Sequence, residues 1–275
     1  LNFRSFAIRT LIALIFGPLI ILSALAGGYF WLVFVGLVVM MSVYEFHRLA
    51  DLKGAGLQLF IGIFFSLAIV TSFYYSGERL LLPILIALLL AIQFVELYRQ
   101  KGSPLINLSA TFYAPVYYAL GFGSFILIRE FPAQWGLNSS AAGTWIVLLI
   151  LTIWVCDTAA YIGGSYFGRH KLMERISPKK SIEGAVFGFV FALLAAALFH
   201  QWFVRGLRLQ DALFIGLVVG SIGQYGDLFE SLLKRDAGVK DSSNLIPGHG
   251  GILDRFDSLT ICAPVVYLYL RFIPF

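Results

Sequence analysis

Residues 231–257 read SLLKRDAGVKDSSNLIPGHGGILDRFD and hold Lys234, Arg235, Lys240 and Arg255 together with Asp236, Asp241, Asp254 and Asp257. The 275-residue chain around them is 59% hydrophobic and only 13% charged, so this much charge in one stretch needs a polar purpose. Three more acidic residues lie upstream within apolar runs: Asp157 in WVCDTAAY, and Asp227 with Glu230 in GQYGDLFESLLKR. An aspartate near the centre of a membrane span costs about 2.5–3.5 kcal/mol, which something must offset. On a helix Asp227, Glu230 and Lys234 fall at i, i+3 and i+7 on one face, which suits a metal, a proton or a neighbouring helix. An interhelical ion pair with a lysine would account for Asp157 or Glu230 alone. It accounts less well for the whole set, because Asp241, Asp254 and Asp257 follow.

Asp254 and Asp257 sit three apart at the start of an apolar run, where the free N–H groups and dipole of a helix N-terminus favour anions. Carboxylates gathered there repel one another unless cations lie among them. Oxygen-rich sites of this kind suit Mg²⁺, which binds through one or two carboxylates plus substrate phosphates. Lysine and arginine are the usual partners of those phosphates. Residue types and spacing therefore point to a divalent metal acting on a polyphosphate.

These side chains must be positioned by membrane helices. Apolar runs long enough to span a bilayer lie near 8–26, 28–46, 57–75, 80–98, 105–128, 143–165, 183–204, 211–232 and 256–274, predicting an all-α polytopic integral membrane protein with about nine transmembrane helices. With that division 15 of the 20 basic residues fall on one side, including Arg169, Lys171, Arg175, Lys179 and Lys180 after the sixth span. The positive-inside rule then puts the N-terminus and the basic loops in the cytoplasm. The charge balance of +5 is thereby a topology signal, and no nucleic-acid partner is expected. Ala24-Leu25-Ala26 before Gly27 resembles a signal-peptide cleavage site, but the length of the run and the span that follows at once favour an uncleaved first helix.

Residues 1–142 carry little chemistry and are expected to form supporting helices that give lipid access, with the catalytic region in 143–275. Glu45, His47 and Arg48, and likewise Glu96 and Arg99, look like helix ends reaching toward headgroups. Tyr113, Tyr117 and Tyr118 around Pro115 read as a packing stripe. Cys156 and Cys262 lie far apart in apolar segments and are expected to be buried and free. The loop after span six combines Gly163-Gly164 and Gly168 with Ser177-Pro178-Lys179-Lys180-Ser181. It suits phosphate cradling, with a basic surface facing anionic lipid as the alternative.

Ser231, Lys234-Arg235, Lys240-Asp241, Pro247, His249-Gly250-Gly251, Asp254-Arg255 and Asp257, with these separations, resemble the phosphatidate cytidylyltransferases. The likeness extends upstream through Asp157, Tyr161, Gly164, Gly168, Ser177-Pro178, Lys180, Glu183-Gly184 and Gly226-Asp227. It departs at Ser165, where Lys or Arg is frequent, and at Ser181, where Thr is common. The resemblance implies a multi-pass enzyme of the cytoplasmic (inner) membrane, its active site facing the cytoplasm, taking CTP and phosphatidic acid to CDP-diacylglycerol and pyrophosphate with Mg²⁺ and room for a second cation. On the matching positions it implies catalytic Asp227, Asp254, Lys234 and Arg235. Substrate would be held by Ser177, Lys179, Lys180, Lys240, Asp241, His249, Gly250, Gly251 and Arg255, and metal by Asp227, Asp254, Asp257 and Asp157. A homodimer is compatible with the chain, though no interface motif is legible. The same chemistry on an archaeal ether-lipid phosphate or a polyprenol stays open, as does an ion-coupled transporter, although the acids and helix breaks crowd into the second half alone.

Overall fold

The computed structural model describes residues 3–130, 139–243, 245 and 250–272, with the side chains of 3–13 and 139–140 outside that description. Its helices are α1 (Phe3–Ala26), α2 (Gly28–Leu52), α3 (Leu59–Ser76), α4 (Leu81–Tyr98), α5 (Pro104–Glu130), α6 (Ser139–Phe167), α7 (Ile182–Trp202), α8 (Leu209–Val218), α9 (Gln224–Asp236) and α10 (Leu253–Phe272). Among the described residues six helical stretches are long and apolar enough to cross a membrane: Gly28–Leu52, Leu59–Tyr98, Pro104–Glu130, Ala141–Phe167, Ile182–Trp202 and Leu209–Asp236. The chain is thus an all-α, multi-pass membrane protein in its main architecture. The one addition is a short antiparallel hairpin, β1 (Lys171–Met173) with β2 (Ser177–Ser181), where the sequence suggests only a loop.

The helices fall into two compact units, residues 1–127 with 233–256 and residues 128–232 with 257–275. In the first unit, the 40-residue apolar stretch is a helical hairpin. The 3₁₀ turn Gly77–Leu80 reverses the chain, starting from Gly77 at φ +60°. Gln58 at the start of α3 donates to Ile92 O at 3.2 Å and Glu96 Oε2 at 2.9 Å near the end of α4, so the two helices run antiparallel. Asn107 of α5 donates to Glu96 Oε1 at 2.6 Å. Glu96 is therefore a buried joint between three segments, not a helix end reaching for headgroups. In lipid such polar contacts matter because apolar burial gives no preference for protein over acyl chains, each contributing about 0.6 kcal/mol.

Two further details of this unit concern α2 and α5. The apolar run of span two gives out near 46, yet α2 continues to Leu52, with His47 and Asp51 paired across one turn at 3.3 Å. Glu45 consequently lies within the helix and is fully buried, against the reading of it as an interfacial end. The tyrosine stripe packs as expected. Tyr113 stacks on Tyr117 at 5.1 Å, and Phe46 meets Tyr113 and Tyr118 at 5.2 and 5.9 Å.

In the second unit α6 and α7 lie side by side, with Phe167 stacked on Phe187 at 5.3 Å. Trp145 Nε1 donates to Arg205 O at 2.9 Å, which ties the start of α6 to the turn before α8. The β-hairpin is anchored to α7 by the first residues of that helix. Ser181 caps it through Gly184 N at 3.2 Å, and Glu183 accepts from the amides of Arg169 and His170 and contacts His170 Nδ1 at 2.6 Å. The eighth apolar run is not one regular helix: a π-helical turn, Val219–Gly223, separates α8 from α9. Both cysteines are free and buried, as the sequence suggests.

Candidate active site

Each unit holds one group of the charged side chains singled out above. In the second unit Lys180, from β2, is ion-paired with Asp227 in the first turn of α9. Asp257 of α10 lies within electrostatic reach of Asp227, Asp157 and Lys180. The approach of α9 to α10 depends on Gly226, because a Cβ there would stand 2.7 Å from Asp257 O and 3.1 Å from Ser258 Cα. The π-helical turn just before α9 matters for the same reason. One extra residue in a helix rotates all that follows by about 100°, which sets the face on which Asp227 stands.

The donor set here is three carboxylates and one ammonium. Hard oxygen ligands with a surplus of negative charge fit a divalent cation such as Mg²⁺. Among the described residues no three His, Cys, Asp or Glu side chains close on one point to hold an ion alone. A cation bound there would therefore complete its shell with oxygens from water or from a phosphate.

In the first unit Lys234, in the last turn of α9, is ion-paired with Asp254 in the first turn of α10, both side chains being almost fully enclosed. The second oxygen of Asp254 accepts from Gly251 N at 2.8 Å, from Ser242 N at 3.1 Å and from Ser242 Oγ at 3.1 Å. Burial alone would raise the Asp254 carboxyl; the Lys234 ammonium and the two amides outweigh it and hold the group below the usual carboxylate range. Gly250 adopts φ +83°, and a Cβ on Gly251 would run into Ser242 Oγ and the Glu45 carboxylate. This pair of glycines thus makes room for the protein's own polar groups.

The remaining candidates are placed as follows. Arg235, Lys240, Asp241 and Arg255 are exposed around this group, with Arg235 donating to Val239 O at 3.0 Å. Lys179 is exposed and Ser177 half-buried on β2. His249 lies outside the described residues. Glu45 is the participant that sequence reasoning misses: its carboxylate accepts from Ser242 Oγ, Ser243 Oγ, Ile252 N and Leu253 N at 2.7, 2.6, 2.8 and 3.0 Å. The one signal for it is an acid carried on the apolar run of span two, which Arg48 one turn on makes resemble an interfacial helix end.

A family model described as "Cytidylyltransferase family" matches residues 7–273. The chain belongs to that family. It is 33% identical over 285 residues to a phosphatidate cytidylyltransferase of Synechocystis, covering 94% of this chain and 92% of the relative. A phosphatidate cytidylyltransferase of Bacillus subtilis is 35% identical over 235 residues, 84% of each chain, and one of Haemophilus influenzae is 30% identical over 268 residues, 89% of this chain and 91% of the relative. Membership of the cytidylyltransferase family spans both units, and both lysine–aspartate pairs fall within the matched residues.

Proposed function

We propose that this protein is a phosphatidate cytidylyltransferase of the cytoplasmic membrane, converting CTP and phosphatidic acid to CDP-diacylglycerol and pyrophosphate. The reading is carried by one observation: a polytopic membrane chain of this family sets two lysines against aspartates of its charged helix ends. A phosphate oxygen of the lipid attacks the α-phosphorus of CTP, a new P–O bond forms, and the bond to the β-phosphate breaks to release pyrophosphate. The nucleophile is already an anion, so the task left to the protein is positioning and charge neutralisation.

Asp227 and Asp257 are the ligands proposed for Mg²⁺, with Asp157 adding negative charge beside them and water or phosphate oxygens completing the shell; the ion would neutralise charge on the transferring phosphate. Lys180, with Lys179 and Ser177 on the same strand, holds triphosphate oxygens, and the Lys180–Asp227 pair opens as the nucleotide takes the lysine. Lys234 makes the same exchange, leaving Asp254 to accept a cation of its own. Arg235, Lys240 and Arg255 add phosphate contacts, with Asp241, His249, Gly250 and Gly251 completing the substrate-binding set. In this reading nine spans cross the bilayer, the N-terminus is cytoplasmic, and the charged helix ends face the cytosol.

The test is turnover by purified protein in mixed micelles with CTP labelled in the cytidine or in the γ-phosphate. Cytidine label entering lipid only when both phosphatidate and Mg²⁺ are present is the expected result. Lipid labelled from the γ-phosphate, or turnover unaffected by chelating Mg²⁺, would overturn it.

A further inference from the structure

Glu45 is fully buried in α2, yet it belongs to none of the charged runs that suggest chemistry. A buried carboxylate is costly unless it is well hydrogen-bonded, and this one is met by four donors, all from the two ends of a single loop. Ser242 and Ser243 supply hydroxyls from the near end. Ile252 and Leu253 supply amides from the far end, at the first turn of α10, where a helix has N–H groups to spare.

Asp254 grips the same two loop ends. It takes Ser242 N where Glu45 takes Ser242 Oγ, and Gly251 N where Glu45 takes the next two amides. The hydroxyl of Ser242 lies within reach of both carboxylates, 2.7 Å from Glu45 and 3.1 Å from Asp254. The frame that orients Asp254, and through it Lys234, is therefore the frame that Glu45 fixes. Gly250 and Gly251 are required at the junction because a Cβ on Gly251 would run into Ser242 Oγ and the Glu45 carboxylate, and one on Gly250 into the Asp254 carboxylate.

We propose that Glu45 is a positioning residue for the cytidylyl transfer, acting from α2 by locking residues 242–243 and 251–253 so that Asp254 and Lys234 meet cation and phosphate in a fixed orientation. The proposal rests on the roles given to Asp254 and Lys234 above. It deepens them by assigning work to a helix that carries none of the family-like motif.

The experiment compares full-length Glu45→Gln, Glu45→Asp, Ser243→Ala and Asp254→Asn in mixed micelles, titrating Mg²⁺ at saturating CTP and phosphatidate and recording the folded fraction by size exclusion. Outer-shell positioning groups typically contribute about 10–100-fold in metal affinity or activity, so Glu45→Gln should lose turnover or Mg²⁺ affinity on that scale with KM for phosphatidate unchanged. Glu45→Asp, which restores the charge on a shorter stem, should recover part of the loss. Ser243→Ala, which removes one donor and leaves every contact of Asp254 described here, should fall less far in the same direction. Folded Glu45→Gln with wild-type kcat and Mg²⁺ dependence would overturn the proposal, as would losses that only track the folded fraction with no recovery in Glu45→Asp. If Glu45→Gln does not fold, a folded Ser243→Ala with wild-type kcat and Mg²⁺ dependence overturns it. An active Asp254→Asn would instead remove the underlying role of Asp254, so the two failures are separable.

Discussion

Lys234 and Lys180 each face an aspartate, but in different surroundings. The Lys234–Asp254 side chains are 10% and 7% exposed, whereas those of Lys180 and Asp227 are 29% and 35% exposed. Removing one partner of a buried pair strands a charge and costs about 3–5 kcal/mol, while an exposed pair contributes about 0–1 kcal/mol. Lys234→Met should therefore lower the thermal unfolding midpoint in detergent much more than Lys180→Met, although both should lose CTP-dependent turnover; equal midpoints would contradict the burial difference. Asp227→Asn should abolish turnover while the protein still inserts and purifies, and near-normal rates would remove it from the cation ligands. At this scale the sequence makes the aspartates and lysines legible because charge is rare in an oily chain. It hides Glu45 because the partners of that residue are hydroxyls and backbone amides, which leave no complementary charge to notice. Ending span two where the apolar run gives out compounds this, since it turns an interior acid into a terminal one.

Among the elements, α9 and α10 are the pair on which the placement of Asp227 and Asp257 depends. Their close approach at Gly226 leaves no space for a methyl group beside the backbone of Asp257. Overpacking of this kind costs about 1–3 kcal/mol, so Gly226→Ala should lower the unfolding midpoint and depress turnover by shifting Asp227 against Asp257. Wild-type stability and rate in that variant would mean that the crossing yields without consequence. The helices themselves are readable as apolar runs of spanning length, including both arms of the α3–α4 hairpin. The β-hairpin is not, because strands of three and five residues carrying Lys171, Pro178, Lys179 and Lys180 show no apolar alternation. The π-helical turn is equally silent in sequence, since VGSIG continues the hydrophobic run without a break.

Across the whole molecule, the proposed orientation can be read by labelling in sealed vesicles of known sidedness. The native thiols are buried, so a membrane-impermeant maleimide should report only on introduced cysteines. Glu174→Cys at the tip of the β-hairpin should react from the cytoplasmic face and Arg205→Cys, before α8, from the opposite face. Reaction of both from one side would refute the topology. The first compact unit is discontinuous in sequence, since residues 233–256 pack with 1–127. Charge patterning cannot announce such a return, because it records which side of a membrane a loop occupies and not which helices receive it. The Glu45 clamp gives this discontinuity a schedule. Glu45 and Ser242 are 197 residues apart, and at roughly 5–20 residues per second the ribosome needs about 10–40 s to cover that distance. During synthesis α2 thus waits in the bilayer with an acid whose four donors do not yet exist, and a loop made 197 to 208 residues later is the one that satisfies it.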